Sequence, residues 1–310
     1  MERWLSSERN VKACALIGAV TIAFSPILVR LSHATPSTAA IFRCAYALPL
    51  LGLLAWREDR RLGSRAWRSR RAALAAGVFF AADLLLWHRS IADVGAGLAT
   101  VLANVQVVLV PLVAWMVLAE RPGRRVLAAL PVALLGVILI SGALEHEAYG
   151  RNPTRGAIFG VGAGVAYVGF LLLLRRGGAD LRRPAGPLFD ATATATVLCI
   201  IAGEILGDAH LVPSWPGAAW LITLALTSQV LGWLLITVSL PRLKAALIAL
   251  LLTVQPVGSV ALAALIFAES PSLLQVIGVA MVLAGLVVAT APSRAGRLIR
   301  GRALAESSST

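Results

Sequence analysis

Apolar residues run through this chain in long stretches, and polar residues gather in short clusters between them. A helix rising about 1.5 Å per residue needs about 20 apolar residues to cross the hydrocarbon core of a bilayer. Ten runs of that length predict ten helices, over residues 12–32, 36–56, 72–92, 94–118, 124–144, 154–174, 186–206, 216–240, 244–268 and 272–292. The breaks carry turn chemistry or charge: His33-Ala34-Thr35-Pro36, Arg121-Pro122-Gly123, Arg151-Asn152-Pro153, Pro213-Ser214-Trp215-Pro216 and Glu269-Ser270-Pro271. Barrel strands would alternate over about ten residues, and these runs do not. Because lipid leaves backbone amides no partner outside the chain, the pattern predicts an all-α polytopic membrane protein with ten transmembrane helices.

Composition supports the pattern. Of 310 residues, 58% are hydrophobic and 14% charged, and mean hydropathy is +0.83. A soluble domain carries about 25% charged residues. A soluble enzyme, a disordered chain and a disulfide scaffold are excluded on that ground. Cys14, Cys44 and Cys199 lie inside apolar runs without metal-ligand spacing and read as small apolar filler. No cofactor or metal site is expected.

The net charge of +13 follows from topology. Numbering the loops from the N-terminus, one side receives 23 of the 28 Lys and Arg residues, including seven arginines between Arg57 and Arg71. The opposite loops hold Arg151 and Arg155, with Arg30, Arg43 and Arg89 inside the outer parts of spans. This positive-inside asymmetry predicts a multi-pass protein of the cell (plasma or inner) membrane with both termini cytoplasmic. Anionic lipids, and no nucleic acid, are the partners such loops imply.

The chain repeats itself. Ala103-Asn104-Val105-Gln106-Val107 through Glu120-Arg121-Pro122 recurs as Leu252-Thr253-Val254-Gln255-Pro256 through Glu269-Ser270-Pro271, 149 positions later. The same offset places Ser90 on Ser239, Ala96 on Ala245 and Gly136 on Gly285. Each copy holds five spans, an odd number, so the second copy crosses the membrane in the opposite sense. Residues 1–145 and 146–293 form two inverted five-helix repeats, followed by a basic and polar cytoplasmic tail over 294–310. Inverted repeats are an architecture of secondary transporters, whose substrate site lies near the midplane between halves of similar energy.

With these features the chain resembles the EamA-domain branch of the drug/metabolite transporter superfamily. The resemblance rests on the five-plus-five arrangement, on a mid-helix glutamine and a terminal Glu-x-Pro in the fourth span of each half, and on a glycine-bearing fifth span (Leu135-Gly136-Val137 and Ala284-Gly285-Leu286). It implies a carrier, commonly an exporter of amino acids or other small metabolites, with a central cavity lined by spans 3, 4, 8 and 9. The related small multidrug antiporters carry an essential glutamate in the first span. Span 1 here has no carboxylate, so their coupling mechanism does not transfer.

Polar side chains at bilayer depth cost a few kcal/mol or more and are functional candidates. Asp83 lies roughly 14 Å, and Arg43 roughly 10 Å, from the outer ends of their helices. They form either an ion pair locking two helices or a coupling or substrate-binding pair. Trp87 and Ser90 share the face of Asp83, whereas His88 points away and reads as an interfacial anchor. Asn104 and Gln106, with Thr253 and Gln255, sit near mid-membrane, as substrate contacts or as helix-bridging amides. Gln229 and Trp233, one turn apart, read as a cavity wall. Trp115 and Tyr167 read as packing aromatics, Glu120 and Glu269 as groups ordering loops, Asp190 and Glu204 as solvated carboxylates. Gly160, Gly162 and Gly164 lack the strand of a dinucleotide site and predict close helix packing. The expected function is secondary transport of a small metabolite, such as an amino acid or drug-like compound, with no catalytic residues. A lipid scramblase or an integral-membrane lipid-modifying enzyme is the alternative, and association as a homodimer is left open.

Overall fold

The computed structural model describes residues 8–106, 109, 113, 124–140, 144, 148–178, 180–239, 242–243, 252 and 254–290, and among them there is no strand. Twelve α-helices are described: α1 Glu8–Ala23, α2 Ser25–Leu31, α3 Pro36–Ala45, α4 Leu48–Leu62, α5 Trp67–Ala103, α6 Arg124–Ile140, α7 Pro153–Gly177, α8 Ala185–Leu206, α9 Gly217–Leu224, α10 Trp233–Ser239, α11 Val254–Phe267 and α12 Leu273–Thr290. A π-helical stretch, Ala225–Gly232, joins α9 to α10. Six stretches among the described residues are long and apolar enough to cross a membrane, and three shorter apolar helices accompany them.

Local signals set the helix ends. Proline occupies the first turn of α3 and α7, where its missing N–H is no loss. Thr35 and Asn152 cap those helices, Asn152 Oδ1 accepting from the Arg155 amide at 3.1 Å. Gly95 breaks α5 with φ +86°, a conformation that side chains rarely adopt, so α5 is two helices meeting at residue 95. The sequence pattern placed that boundary at 92–94.

Contacts sort the loops to two ends of the bundle. At one, here the near end, Arg183 donates to the carbonyl of Gly63, Glu58 accepts from the amides of Ala185 and Gly186, and Arg242 donates to the carbonyl of Leu181. At the far end, Arg30 pairs with Glu269, Thr35 donates to the carbonyl of Asp208, and the Tyr149 amide donates to Gln275. The chain therefore shuttles between ends.

Two sets of contacts relate the halves. Ser90 Oγ donates to the carbonyl of Gly156 at 2.8 Å, and its repeat equivalent Ser239 donates to the carbonyl of Val11 at 3.2 Å. Each serine thus reaches the first helix of the other half, one at the far end and one at the near end. Between α6 and α12, a methyl on Gly136 would lie 2.7 Å from the Gly278 carbonyl oxygen, and one on Gly285 would lie 3.3 Å from that of Ala129. The repeat offset interchanges these two contacts. Small residues let the backbones of α6 and α12 touch.

Large apolar side chains face outward: Leu265 is 82% and Ile205 79% exposed. Polar groups such as Asp83, Gln229 and Ser259 are buried instead. This is the arrangement of a protein whose solvent is lipid, where unpaired polar groups belong inside.

Candidate functional site

The deep polar side chains converge on a central cavity. The first segment of α5 presents Phe80, Asp83, Leu84 and Trp87, spaced three or four residues apart on one helix face. Past the Gly95 break, Thr100, Asn104 and Gln106 close a second wall. Arg43 of α3, Tyr167 of α7, Trp233 of α10 and Gln255 of α11 complete it. Its volume is about 60 Å3. A water needs about 10–15 Å3 on this measure, so the cavity has room for a few waters.

Four buried polar atoms on this wall have no hydrogen-bond partner among the described residues: Asn104 Oδ1, Gln106 Oε1, Trp233 Nε1 and Gln255 Nε2. Leaving a buried polar atom unpaired costs about 1–3 kcal/mol, and native folds keep such atoms rare. Here the side chains that carry two such donors and two such acceptors line one hollow. Asn104 is fixed by its own amide, which donates to the Thr100 carbonyl at 2.8 Å. Aromatic rings close the hollow toward the near end: Phe80 stacks on Phe170 at 4.3 Å between centroids, and Trp233 meets Phe170 edge-on at 4.9 Å.

Arg43 and Asp83 both line the cavity, but the direct ion pair expected between them is absent from the described contacts. Arg43 Nε donates to Gln229 Oε1 at 3.0 Å and its Nη1 to Ser25 Oγ at 2.9 Å, with the guanidinium 5.7 Å from the Trp87 ring centroid. Gln229 in turn donates to Thr192 Oγ1 at 3.1 Å. Gln229 is fully buried behind Arg43 and does not line the cavity as the sequence suggested. It sits in the π-helical stretch, whose wider turn alters the register to Trp233 that a regular helix would give. Asp83 is left facing the hollow with the guanidinium held beside it.

Other expectations shift. His88 is 1% exposed, with Nδ1 3.2 Å from the Pro36 carbonyl oxygen, and is no interfacial anchor. Asp190 is buried against Arg65 at 2.9 Å rather than solvated, while Glu204 is exposed. Glu269 is buried, bound to Arg30 and to the amides of Ala96 at 2.8 Å and Gly97 at 3.2 Å. Tyr167 belongs to the cavity rather than to packing alone. Gly160 and Gly164 give close approach to Leu102 and to the Ala103 carbonyl, as the span 6 glycines predicted. Thr253, Trp115, Glu120 and the tail 294–310 lie outside the described residues. Among the described residues, no cluster of His, Cys, Asp or Glu is placed to hold a metal ion.

No curated protein matches this chain in sequence. A crystal structure described only as "Crystal structure of protein" is similar in fold, with a TM-score of 0.63 over 93% of this chain and 99% of that one, at 15% identity. The model of the EamA-like transporter family matches twice, over residues 12–142 and 154–291. The polar hollow thus lies within a twice-repeated helical unit, and this multi-pass membrane protein belongs to the EamA-like transporter family.

Proposed function

We propose that the protein is a secondary carrier that exports a small polar metabolite by alternating access around the central cavity. The observation that carries the reading is the set of four unpartnered polar atoms on side chains that line a hollow beside Asp83. A substrate with an ammonium group would give hydrogen bonds to Asp83, Asn104 and Gln106, and its acceptors would take those of Gln255 and Trp233. An amino acid or a drug-like amine has that complement. Aromatic walls would cover its apolar part. The small volume fits an occluded state, which must widen to admit such a molecule.

The near end, with its arginine-rich loops, is the cytoplasmic one in this proposal, which puts both termini of this cell-membrane protein in the cytoplasm. Lipids contact the exposed apolar girdle, and a second copy of the chain is compatible with it. The chain acts as a carrier and not as an enzyme. The sequence contains no nucleotide-binding phosphate loop, so the driving force is an ion gradient, exchange or the substrate's own gradient. The test is uptake of radiolabelled amino acids and amines into proteoliposomes, with and without a proton gradient. Saturable uptake of at least one compound above protein-free vesicles is expected; none across the panel would contradict the proposal.

A further inference from the structure

A second cavity, of about 330 Å3, opens at the far end. It reaches the range of roughly 300–1,000 Å3 typical of ligand sites. The end of α2, the loop after it, α5 from His88 to Gly95 and residues 149–151 enclose it. Its wall is divided. Val29, Pro36 and Ile91 are apolar, whereas Arg30, His33, His88, Asp93, Tyr149 and Arg151 are polar.

The carboxylates within reach among the described residues are already engaged. Asp93 accepts from Arg155 at 2.8 and 2.7 Å, with Arg151 at 3.5 Å. Glu269 is held by Arg30 and by two backbone amides. Among the described residues, three guanidinium groups therefore stand against two carboxylates, a net positive charge. His88 gives an independent sign. A carbonyl oxygen only accepts, so His88 Nδ1 donates to Pro36, and Nε2 of the neutral ring is an acceptor. That Nε2 is buried without a partner among the described residues, on a ring that lines this cavity.

We infer that this cavity is a binding site for a small carboxylate that carries an adjacent hydrogen-bond donor and an apolar body. The guanidinium groups of Arg30 and Arg151 take the carboxylate, His88 Nε2 accepts the donor, and Val29 and Ile91 cover the apolar part. The site lies next to the central cavity: Trp87 lines one and Ile91 the other, a single helical turn, or about 6 Å, apart. A ligand here waits at the far-end door of the carrier. That role rests on the carrier reading, but the recognition chemistry does not, so the test measures binding without transport.

The probes are 3-phenyllactate, 3-phenylpropionate, which lacks the hydroxyl donor, and 3-phenyllactamide, which lacks the charge. Titration calorimetry is run on the full chain in phosphatidylcholine nanodiscs, where no anionic headgroup competes. Saturable binding of 3-phenyllactate is expected, with each of the other two about tenfold weaker, the loss of one charge-assisted or buried hydrogen bond. Arg151→Gln, a side chain 73% exposed and so the variant least able to disturb folding, weakens 3-phenyllactate by a similar factor. His88→Phe removes the advantage of lactate over propionate, and Asp83→Asn leaves binding unchanged. The inference is overturned by no saturable binding of any probe, by equal binding of acid and amide, or by binding that Asp83→Asn abolishes and Arg151→Gln spares. Failed transport with this binding intact removes only the carrier reading.

Discussion

Glu269 Oε1 stands 2.8 Å from the backbone nitrogen of Ala96, a residue 173 positions earlier in the chain. The break at Gly95 restarts a helix and exposes N–H groups that have no partner within it. Glu269 supplies that partner from the other half, and Arg30 neutralises its charge. The segment carrying Thr100, Asn104 and Gln106 to the cavity is thus pinned by a side chain of the second repeat. A methyl on Gly95 would fall 2.6 Å from the same oxygen, so the break and the cap fit only together. Glu269→Gln leaves a guanidinium without its counter-charge and weakens the cap; a loss of about 1–3 kcal/mol is expected. Thermal unfolding of the detergent-solubilised variant checks this, and an unchanged midpoint would show that the contact carries no stability.

Asp83 faces the hollow without an ion pair among the described contacts, beside Arg43 and Tyr167. Asp83→Asn keeps shape and removes charge. The variant is expected to remain monodisperse, to transport at least about tenfold more slowly, and to lose any pH dependence that wild type shows. Initial rates across a pH series measure this; an identical profile would take Asp83 out of the mechanism.

The two related glycine contacts differ in tightness. A methyl on Gly136 meets the Gly278 carbonyl oxygen at 2.7 Å, whereas one on Gly285 meets nothing closer than 3.3 Å. Gly136→Ala must push α6 and α12 apart, at a cost of about 1–3 kcal/mol, and Gly285→Ala costs less. Thermal midpoints of the two variants give the order, and the reverse order would contradict this packing.

Burial separates two ion pairs at the near end. Arg65 and Asp190 are 6% and 3% exposed at 2.9 Å, while Arg182 and Asp180 are 59% and 38% exposed at 3.1 Å. Asp190→Asn leaves the buried Arg65 guanidinium with the half-exposed Asp59 at 3.8 Å, costing on the order of 3 kcal/mol, and Asp180→Asn, which leaves Arg183 its contacts with Asp59 and the Leu62 and Gly63 carbonyls, costs under about 1 kcal/mol. Equal stability of the two variants would refute the burial assigned to Asp190.

Much of this was written in the one-dimensional pattern. Run length marks the helices, the 149-residue offset pairs Ser90 with Ser239 and Gly136 with Gly285, and depth along a helix selects Asp83, Trp87, Asn104, Gln106 and Gln255. Partners are another matter. Arg43 lies at the depth of Asp83, yet its hydrogens go to Ser25 and Gln229, because α2 and the π-helical stretch pack closer to it. Asp190, His88 and Glu269 sit near helix ends, where sequence suggests solvent; each is covered by a segment distant in the chain, which periodicity does not reveal. Phe80 was the accessible omission: it precedes Asp83 by three residues and shares its face.

The proposed carrier needs two halves that cross the membrane in opposite senses. Ser64 and Ser214 stand in the loops that follow the second span of each half, and both are exposed. The three native cysteines are buried and give little background. Each of Ser64→Cys and Ser214→Cys is treated in intact cells with a membrane-impermeant maleimide, before and after permeabilisation. The account predicts that position 214 reacts from outside and position 64 only after permeabilisation; labelling of both from the same side would contradict it.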